Sequence, residues 1–222
     1  MNTVLDAHYT NDTNPGSVTI NAANILTKGG DLTIGGGANP LTTPAIGFTG
    51  DTNGIGSGVT LANGVTLNAQ GGNISMRGQG GTGTTGSETT IGIAAGFTPA
   101  SGGNTIQTSG NGNITLVGAG GNGATTGDGV SIWTVTNTSR NTVTAQNGNI
   151  TIQGTGGTSA SGNHGVIIAG AASTTGTDAI YTSGTGSVNI NGIGAAGDVT
   201  TNFGQANVYL GGMARRWSPA VL

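Results

Sequence analysis

Five segments of this chain align with one another, and that repetition constrains the fold more than any other feature. They are Gly30-Asp31-Leu32-Thr33-Ile34, Gly72-Asn73-Ile74-Ser75-Met76, Gly112-Asn113-Ile114-Thr115-Leu116, Gly148-Asn149-Ile150-Thr151-Ile152 and Gly186-Ser187-Val188-Asn189-Ile190. From Leu32 through Ile74, Ile114 and Ile150 to Val188, the steps are 42, 40, 36 and 38 residues. The middle copies run on into glycine-rich tails: Gly78-Gln79-Gly80-Gly81, Gly118-Ala119-Gly120-Gly121 and Gly154-Thr155-Gly156-Gly157. A second strand-like segment recurs at matching positions as Ile91-Gly92-Ile93, Val130-Ser131-Ile132 and Val166-Ile167-Ile168. A third recurs as Asn104-Thr105-Ile106, Asn141-Thr142-Val143 and Asp178-Ala179-Ile180.

Within these segments apolar and polar residues alternate with period two, as in a half-buried strand. No helical periodicity persists, and the Gly, Asn, Ser and Thr between segments read as tight turns. Short strands at a fixed period, apolar on one face, fit a solenoid whose coils stack with backbones about 4.8 Å apart. Each coil touches only its neighbours, so a narrow core of Ile, Val, Leu and Ala suffices. The expected fold is all-β, a parallel β-helix (β-solenoid) built from repeats of about 36–42 residues. One repeat is compatible with one wide coil or two narrower ones. Stacking would put Asn73, Asn113 and Asn149 in register as an amide ladder, with Asp31 in the same slot. Thr33, Ser75, Thr115 and Thr151 would form a surface hydroxyl row. The segments Val18-Thr19-Ile20 and Ile25-Leu26-Thr27, and Val59, Leu61, Val65, Leu67 and Ala69, extend the pattern. The array is expected to span residues 1–212, with residues 213–222 a non-repeat tail.

Composition supports order of this kind. Charged residues make up 6% of the chain and aromatics 4%, while 47 of 222 residues are glycine. A globular domain carries about 25% charged residues and about 7% glycine, so a single large core is excluded. Collagen would need far more than 5 prolines. Disordered chains are rich in charge and poor in β-branched residues; here Val, Ile and Thr occur throughout. With 5 Lys and Arg in all and a net charge of −3, the chain has no basic stripe for a nucleic-acid partner. No apolar run approaches the roughly 20 residues of a membrane span. The first residues, Met1 to Asp12, lack the pattern of a signal peptide. Cysteine is absent, so stability has to come from backbone pairing and stacking.

The runs Asn111-Gly112-Asn113-Ile114-Thr115-Leu116 and Asn147-Gly148-Asn149-Ile150-Thr151-Ile152, with their glycine-rich tails and the following Gly-Val-x-Ile, resemble filamentous haemagglutinin-type repeats. So does Val4-Leu5-Asp6-Ala7 leading into Ser17-Val18-Thr19-Ile20. The resemblance covers roughly residues 4 to 210. It implies a right-handed parallel β-helix on the exterior of a bacterial cell, in the shaft of a giant surface adhesin exported by two-partner secretion. The implied roles are attachment, biofilm formation or contact with other cells. The implied partners are glycans or a host or neighbouring cell surface, and an outer-membrane secretion partner. The secretion domain and anchoring module of such proteins are not recognisable, which points to an internal fragment or a shortened reading frame.

Catalysis on a β-helix would need clustered ionisable groups. The acids Asp6, Asp12, Asp31, Asp51, Glu88, Asp128, Asp178 and Asp198 are widely separated in sequence, and a turn or ladder role is expected for them. His164 lies in a turn before a second-type strand and is expected to be structural or solvated; His8 has no obvious partner. Calcium-binding glycine repeats need an aspartate recurring after paired glycines, and none recurs. Phosphate loops need Gly-Lys-Ser/Thr, whereas Lys28 precedes Gly29-Gly30. No catalytic residue, metal or cofactor is therefore expected. Asn113-Ile114-Thr115 and Asn149-Ile150-Thr151 match a glycosylation acceptor but sit inside the strand repeat. The tail Met213-Ala214-Arg215-Arg216-Trp217-Ser218-Pro219 reads as a cap or an out-of-frame end. The alternative to an adhesin segment is a small secreted solenoid with its own ligand, such as an ice-binding or polysaccharide-acting β-helix. An ice-binding face would need Thr-x-Thr in every coil, yet Thr142-Val143-Thr144 aligns with Thr105-Ile106-Gln107 and Ala179-Ile180-Tyr181.

Overall fold

Period-two apolar residues at a step of about 40 become stacked rungs in the computed structural model. It describes residues 1–7, 16–48, 56–83, 89–96, 103–122, 125–134, 140–159, 162–170, 179–195 and 207–211. The acids Asp12, Asp51, Glu88, Asp178 and Asp198, together with His8 and the tail 213–222, lie outside the described residues.

The first coil is β1 (Thr3–Ala7), β2 (Val18–Asn21) and β3 (Asn24–Leu26). The second is β4 (Leu32–Gly36), β5 (Ala45–Ile46), β6 (Val59–Ala62) and β7 (Thr66–Asn68). The third is β8 (Ile74–Gln79), β9 (Ile93–Ala95) and β10 (Thr105–Gln107); the fourth is β11 (Ile114–Ala119), β12 (Val130–Thr134) and β13 (Thr142–Ala145). The fifth is β14 (Ile150–Thr155), β15 (Val166–Gly170) and β16 (Ala179–Thr182), and a sixth begins with β17 (Val188–Ile193) and β18 (Val208–Gly211). Three parallel sheets result: face A in the order β1-β4-β8-β11-β14-β17, face B in the order β2-β6-β9-β12-β15-β18, and face C in the order β3-β7-β10-β13-β16. One repeat is thus one three-faced coil, which settles the alternative that the repeat length leaves open. Among the described residues no segment is helical.

The face A register is the one read from the motif, with Leu32 on Ile74, Ile74 on Ile114, Ile114 on Ile150 and Ile150 on Val188. Face C also agrees, with Thr105 on Thr142 and Thr142 on Ala179. Face B needs a correction, because Val130 pairs with Ile93 and not with Ile91. A two-residue slip keeps the same face inward, so alternation alone cannot detect it. The position before the strand decides the register. Gly58, Gly92, Gly129 and Gly165 occupy it, and a Cβ on Gly92 would lie 2.5 Å from the Ala119 nitrogen and the Gly129 oxygen.

A second correction concerns alternation itself. On face B the outward residues are buried too: Thr60, Ala94, Ser131 and Ile167 are between 0 and 6% exposed. Continuous apolar runs such as Val166-Ile167-Ile168-Ala169 are the pattern of a strand covered on both sides.

Inside, Leu32, Ile34, Leu67, Ile74, Met76, Ile114, Leu116, Ile132 and Ile150 are at most 1% exposed. Fully burying one such side chain contributes roughly 1.5–3 kcal/mol. The motif glycines have a steric cause. A Cβ on Gly72, Gly112, Gly148 or Gly186 would come within 1.8–2.3 Å of the carbonyl oxygen of the equivalent glycine one coil earlier. On Gly78, Gly118 and Gly154 it would come within 1.8–2.0 Å of the oxygens of Gly92, Gly129 and Gly165. Faces A and B cross there too closely for any side chain, and the glycine-rich tails are the sequence trace of that crossing.

Candidate functional site

A solenoid offers its ligands the outward positions of its faces. On face A, the residue before each strand builds a polar ladder along the coil axis. The Asn73 and Asn113 side-chain amides donate to the Oδ1 of Asp31 and Asn73 at 3.1 and 3.2 Å. The Oδ1 atoms of Asn2, Asp31, Asn73, Asn113 and Asn149 accept the backbone N–H of the equivalent residue in the next coil at 2.7–3.0 Å. The ladder therefore has one polarity. Asp31 accepts here through Oδ1 alone, whereas Asn73 and Asn113 both donate and accept. The expected amide ladder is present, and the Asn113 amide of the glycosylation-like triplet is engaged in it.

The hydroxyl row Thr33, Ser75, Thr115 and Thr151 is in register on the same face. Only its later members reach solvent: residues 37–44 turn back over face A, where Gly36 N–H donates to the Thr43 carbonyl and Arg77 Nε to the Leu41 carbonyl. Thr33 is buried. Asp6 lies in β1 opposite Gly35, outside the ladder.

Face C has the most regular accessible outer surface among the described residues. One outward row is Asn24, Thr66, Thr105, Thr142 and Ala179; the other is Leu26, Asn68, Gln107, Thr144 and Tyr181. All of these residues are half-buried or exposed, with Leu26 at 54% and Tyr181 at 51%. Thr142 Oγ1 donates to Thr105 Oγ1 at 3.3 Å. The threonines continue for three rungs and end at Asn24 and Ala179, so the broken Thr-x-Thr array read from the sequence is broken in space as well. Behind this face a buried asparagine pair ties the coils together: Asn104 Nδ2 donates to Asn141 Oδ1 at 2.9 Å, and Asn104 Oδ1 accepts from Val65 N–H at 2.9 Å.

Among the described residues an acid and a histidine meet at a place that widely spaced sequence positions conceal. Asp128 and His164 are equivalent positions 36 residues apart, each just before the corner glycine of face B. Asp128 Oδ1 lies 2.8 Å from His164 Nδ1 and accepts the His164 backbone N–H at 2.9 Å. Burial pushes the Asp128 carboxyl up from its ordinary range, and the hydrogen bonds and charge of His164 oppose that rise. An ionised carboxylate only accepts, so toward that carboxylate Nδ1 is the donor. Nε2 is buried with no hydrogen-bond partner, and the ring packs against Tyr209, centroids 5.5 Å apart. His164 is buried and not solvated. The clue in the sequence is the pair Asp128-Gly129-Val130 and His164-Gly165-Val166, aligned on the glycine.

Among the described residues no group of three His, Cys, Asp or Glu could hold a metal ion, and none of their helices could cross a membrane. No protein-family model, curated protein or solved structure matches this chain.

Proposed function

We propose that this chain is a non-catalytic structural and adhesive segment of an extracellular bacterial surface protein. Its faces are the shaft and the binding surface, and its partners are glycans or a host or neighbouring cell surface. The observation that supports this reading is face C: two in-register rows that carry uncharged polar residues in the second, third and fourth coils and are partly open to solvent, while the Asp128–His164 pair is packed away. Such a surface offers many equivalent weak contacts, and multivalency converts these into firm attachment without a single decisive residue. The resemblance to filamentous haemagglutinin-type repeats adds an outer-membrane secretion partner and a parent protein in which further coils continue on both sides.

Beads coated with the purified chain test the adhesive reading on cells and on immobilised polysaccharides. Adhesion that falls several-fold when Thr105, Gln107, Thr142 and Thr144 are together replaced by alanine, with the circular dichroism spectrum unchanged, supports it. Coated beads that adhere no better than beads coated with that quadruple variant refute it. Sequencing the DNA flanking the reading frame tests the shaft reading. Further Gly-Asn-Ile-Thr-type repeats support it, and a solitary frame with its own export signal favours a small secreted solenoid.

A further inference from the structure

Asparagine followed by glycine is the pair in which a backbone nitrogen most readily attacks the preceding side chain, because glycine leaves that nitrogen unshielded and free to turn. Four such pairs lie wholly among the described residues: Asn63-Gly64, Asn111-Gly112, Asn147-Gly148 and Asn191-Gly192. The fold restrains three of them. The Asn63 side-chain amide donates to Asn21 Oδ1 at 2.7 Å, and its own oxygen is buried. Asn191 and Gly192 lie in β17, where pairing with β14 keeps the backbone extended, whereas ring closure needs it to fold back. Asn111 and Asn147 are equivalent positions, both exposed, at the corner between faces C and A and just ahead of a motif glycine. They differ at the attacking nitrogen. Gly112 N–H donates to the Ser109 carbonyl at 3.2 Å, as Gly30 does to Thr27 and Gly72 to Ala69 at 3.3 Å. Among the described residues the Gly148 N–H and the Asn147 side-chain amide make no hydrogen bond. Room for that side chain comes from Gly184 in the next coil, where a Cβ would lie 2.1 Å from Asn147 Oδ1.

We infer that Asn147 is a site of spontaneous deamidation, selected from the four pairs by the fold. The Gly148 nitrogen attacks Asn147 Cγ and forms the new carbon–nitrogen bond. The side-chain carbon–nitrogen bond breaks, and its amide leaves with the Gly148 proton as ammonia. Water then opens the five-membered succinimide at either carbonyl. One product is aspartate; the other is isoaspartate, whose main chain runs through the former side chain and is one carbon longer. Both carry a carboxylate, so the uncharged corner Gln146-Asn147-Gly148-Asn149 gains a negative charge between the outer rows of face C and the ladder of face A. The longer product also enters a corner without slack. Asn147 N–H donates to the Gly110 carbonyl at 2.8 Å, and a Cβ on Gly148 would lie 1.8 Å from the Gly112 oxygen. Asn73, Asn113 and Asn149 stay outside this chemistry, because each precedes a β-branched isoleucine that shields the nitrogen.

Peptide mapping by mass spectrometry tests the inference on the full chain, held folded in mildly alkaline buffer and sampled over weeks. A protein isoaspartyl methyltransferase counts the longer product. Asn147 is expected to gain the mass of an acid several-fold faster than Asn63, Asn111 or Asn191. In chain unfolded by guanidinium the four are expected to react at similar rates, so that the spread belongs to the fold and not to the dipeptide. Asn147→Gln is expected to remove the early product, because its extra methylene demands a slower six-membered ring. Asn111 reacting as fast as Asn147 in the folded chain overturns the inference. So does the same spread of rates in the unfolded chain, or an Asn147 still intact when another of the four has reacted. The adhesive reading does not depend on the outcome, since bead adhesion is read on fresh protein at face C.

Discussion

At the scale of single residues, the chain is governed by where a side chain is forbidden as much as by where one is buried. Gly118 faces inward where faces A and B cross, with the Gly129 oxygen 2.0 Å from where its Cβ would be. Gly118→Ala therefore has to push two backbones apart. We expect it to cost about 1–3 kcal/mol in urea unfolding, whereas Thr115→Ala on the outer side of the same strand stays within about 0.5 kcal/mol. Equal effects would mean that the crossing is not close-packed. Asp128 supplies a second test, through pH. Its carboxyl is raised by burial, so the folded chain holds the proton where the unfolded chain releases it. Its contribution to stability is then fully present below the ordinary aspartate pKa of about 3.9, and it is lost as pH rises through the raised value. The stability of the wild type relative to Asp128→Asn should be greatest at acid pH and shrink as pH rises toward neutrality; a flat or opposite difference across thermal melts contradicts the assignment.

At the scale of the elements, what the sequence discloses depends on what fixes each strand. The register of face A was legible because Gly30, Gly72, Gly112, Gly148 and Gly186 mark its copies at a position where only glycine fits, whereas β5 and the burial of Thr33 were not. Face C was legible through Asn104 and Asn141, whose side chains are used between coils. Face B was legible only to within two residues. Its apolar positions repeat with period two, and the mark that fixes the register, the glycine before the strand, stands inside Ile91-Gly92-Ile93, where it looks like a strand residue and not a corner. The same ambiguity conceals Asp128 and His164, one position ahead of that corner. Burial on both sides of face B was visible in Val166-Ile167-Ile168-Ala169, a run that does not alternate. It yields a contrast between elements. Ile167→Lys places a charge at an outward position that is 5% exposed; it should cost several kcal/mol, as unpaired buried charges do. Gln153→Lys, outward on face A and exposed, should be close to neutral. Denaturant midpoints of the two variants make the comparison, and similar midpoints would show that face B is open.

At the scale of the whole molecule, a solenoid has no centre, only neighbours. Stability is a sum over coils and the interfaces between them, and the end coils have one interface where interior coils have two. Hydrogen exchange should follow that geometry. The amides of β8, β11 and β14 are the slowest, and those of β1 and β17 exchange first, as expected of local opening; uniform protection from end to end would mean that the ends are covered in solution. All of this rests on one repeat being one coil. The chain contains no cysteine, so an introduced pair reports without background. Thr115 and Thr151 pair directly across β11 and β14, at a strand spacing of about 4.8 Å that a disulfide accepts. Were each repeat two coils, the same residues would stand two rungs apart, roughly twice that distance and beyond the reach of a disulfide. The account predicts that the Thr115→Cys/Thr151→Cys variant oxidises readily to an intramolecular disulfide with its fold and monomer mass intact. A pair that stays reduced under oxidising conditions, together with a Thr105→Cys/Thr142→Cys pair that also stays reduced, would contradict the one-coil repeat on which the faces and the ladder depend.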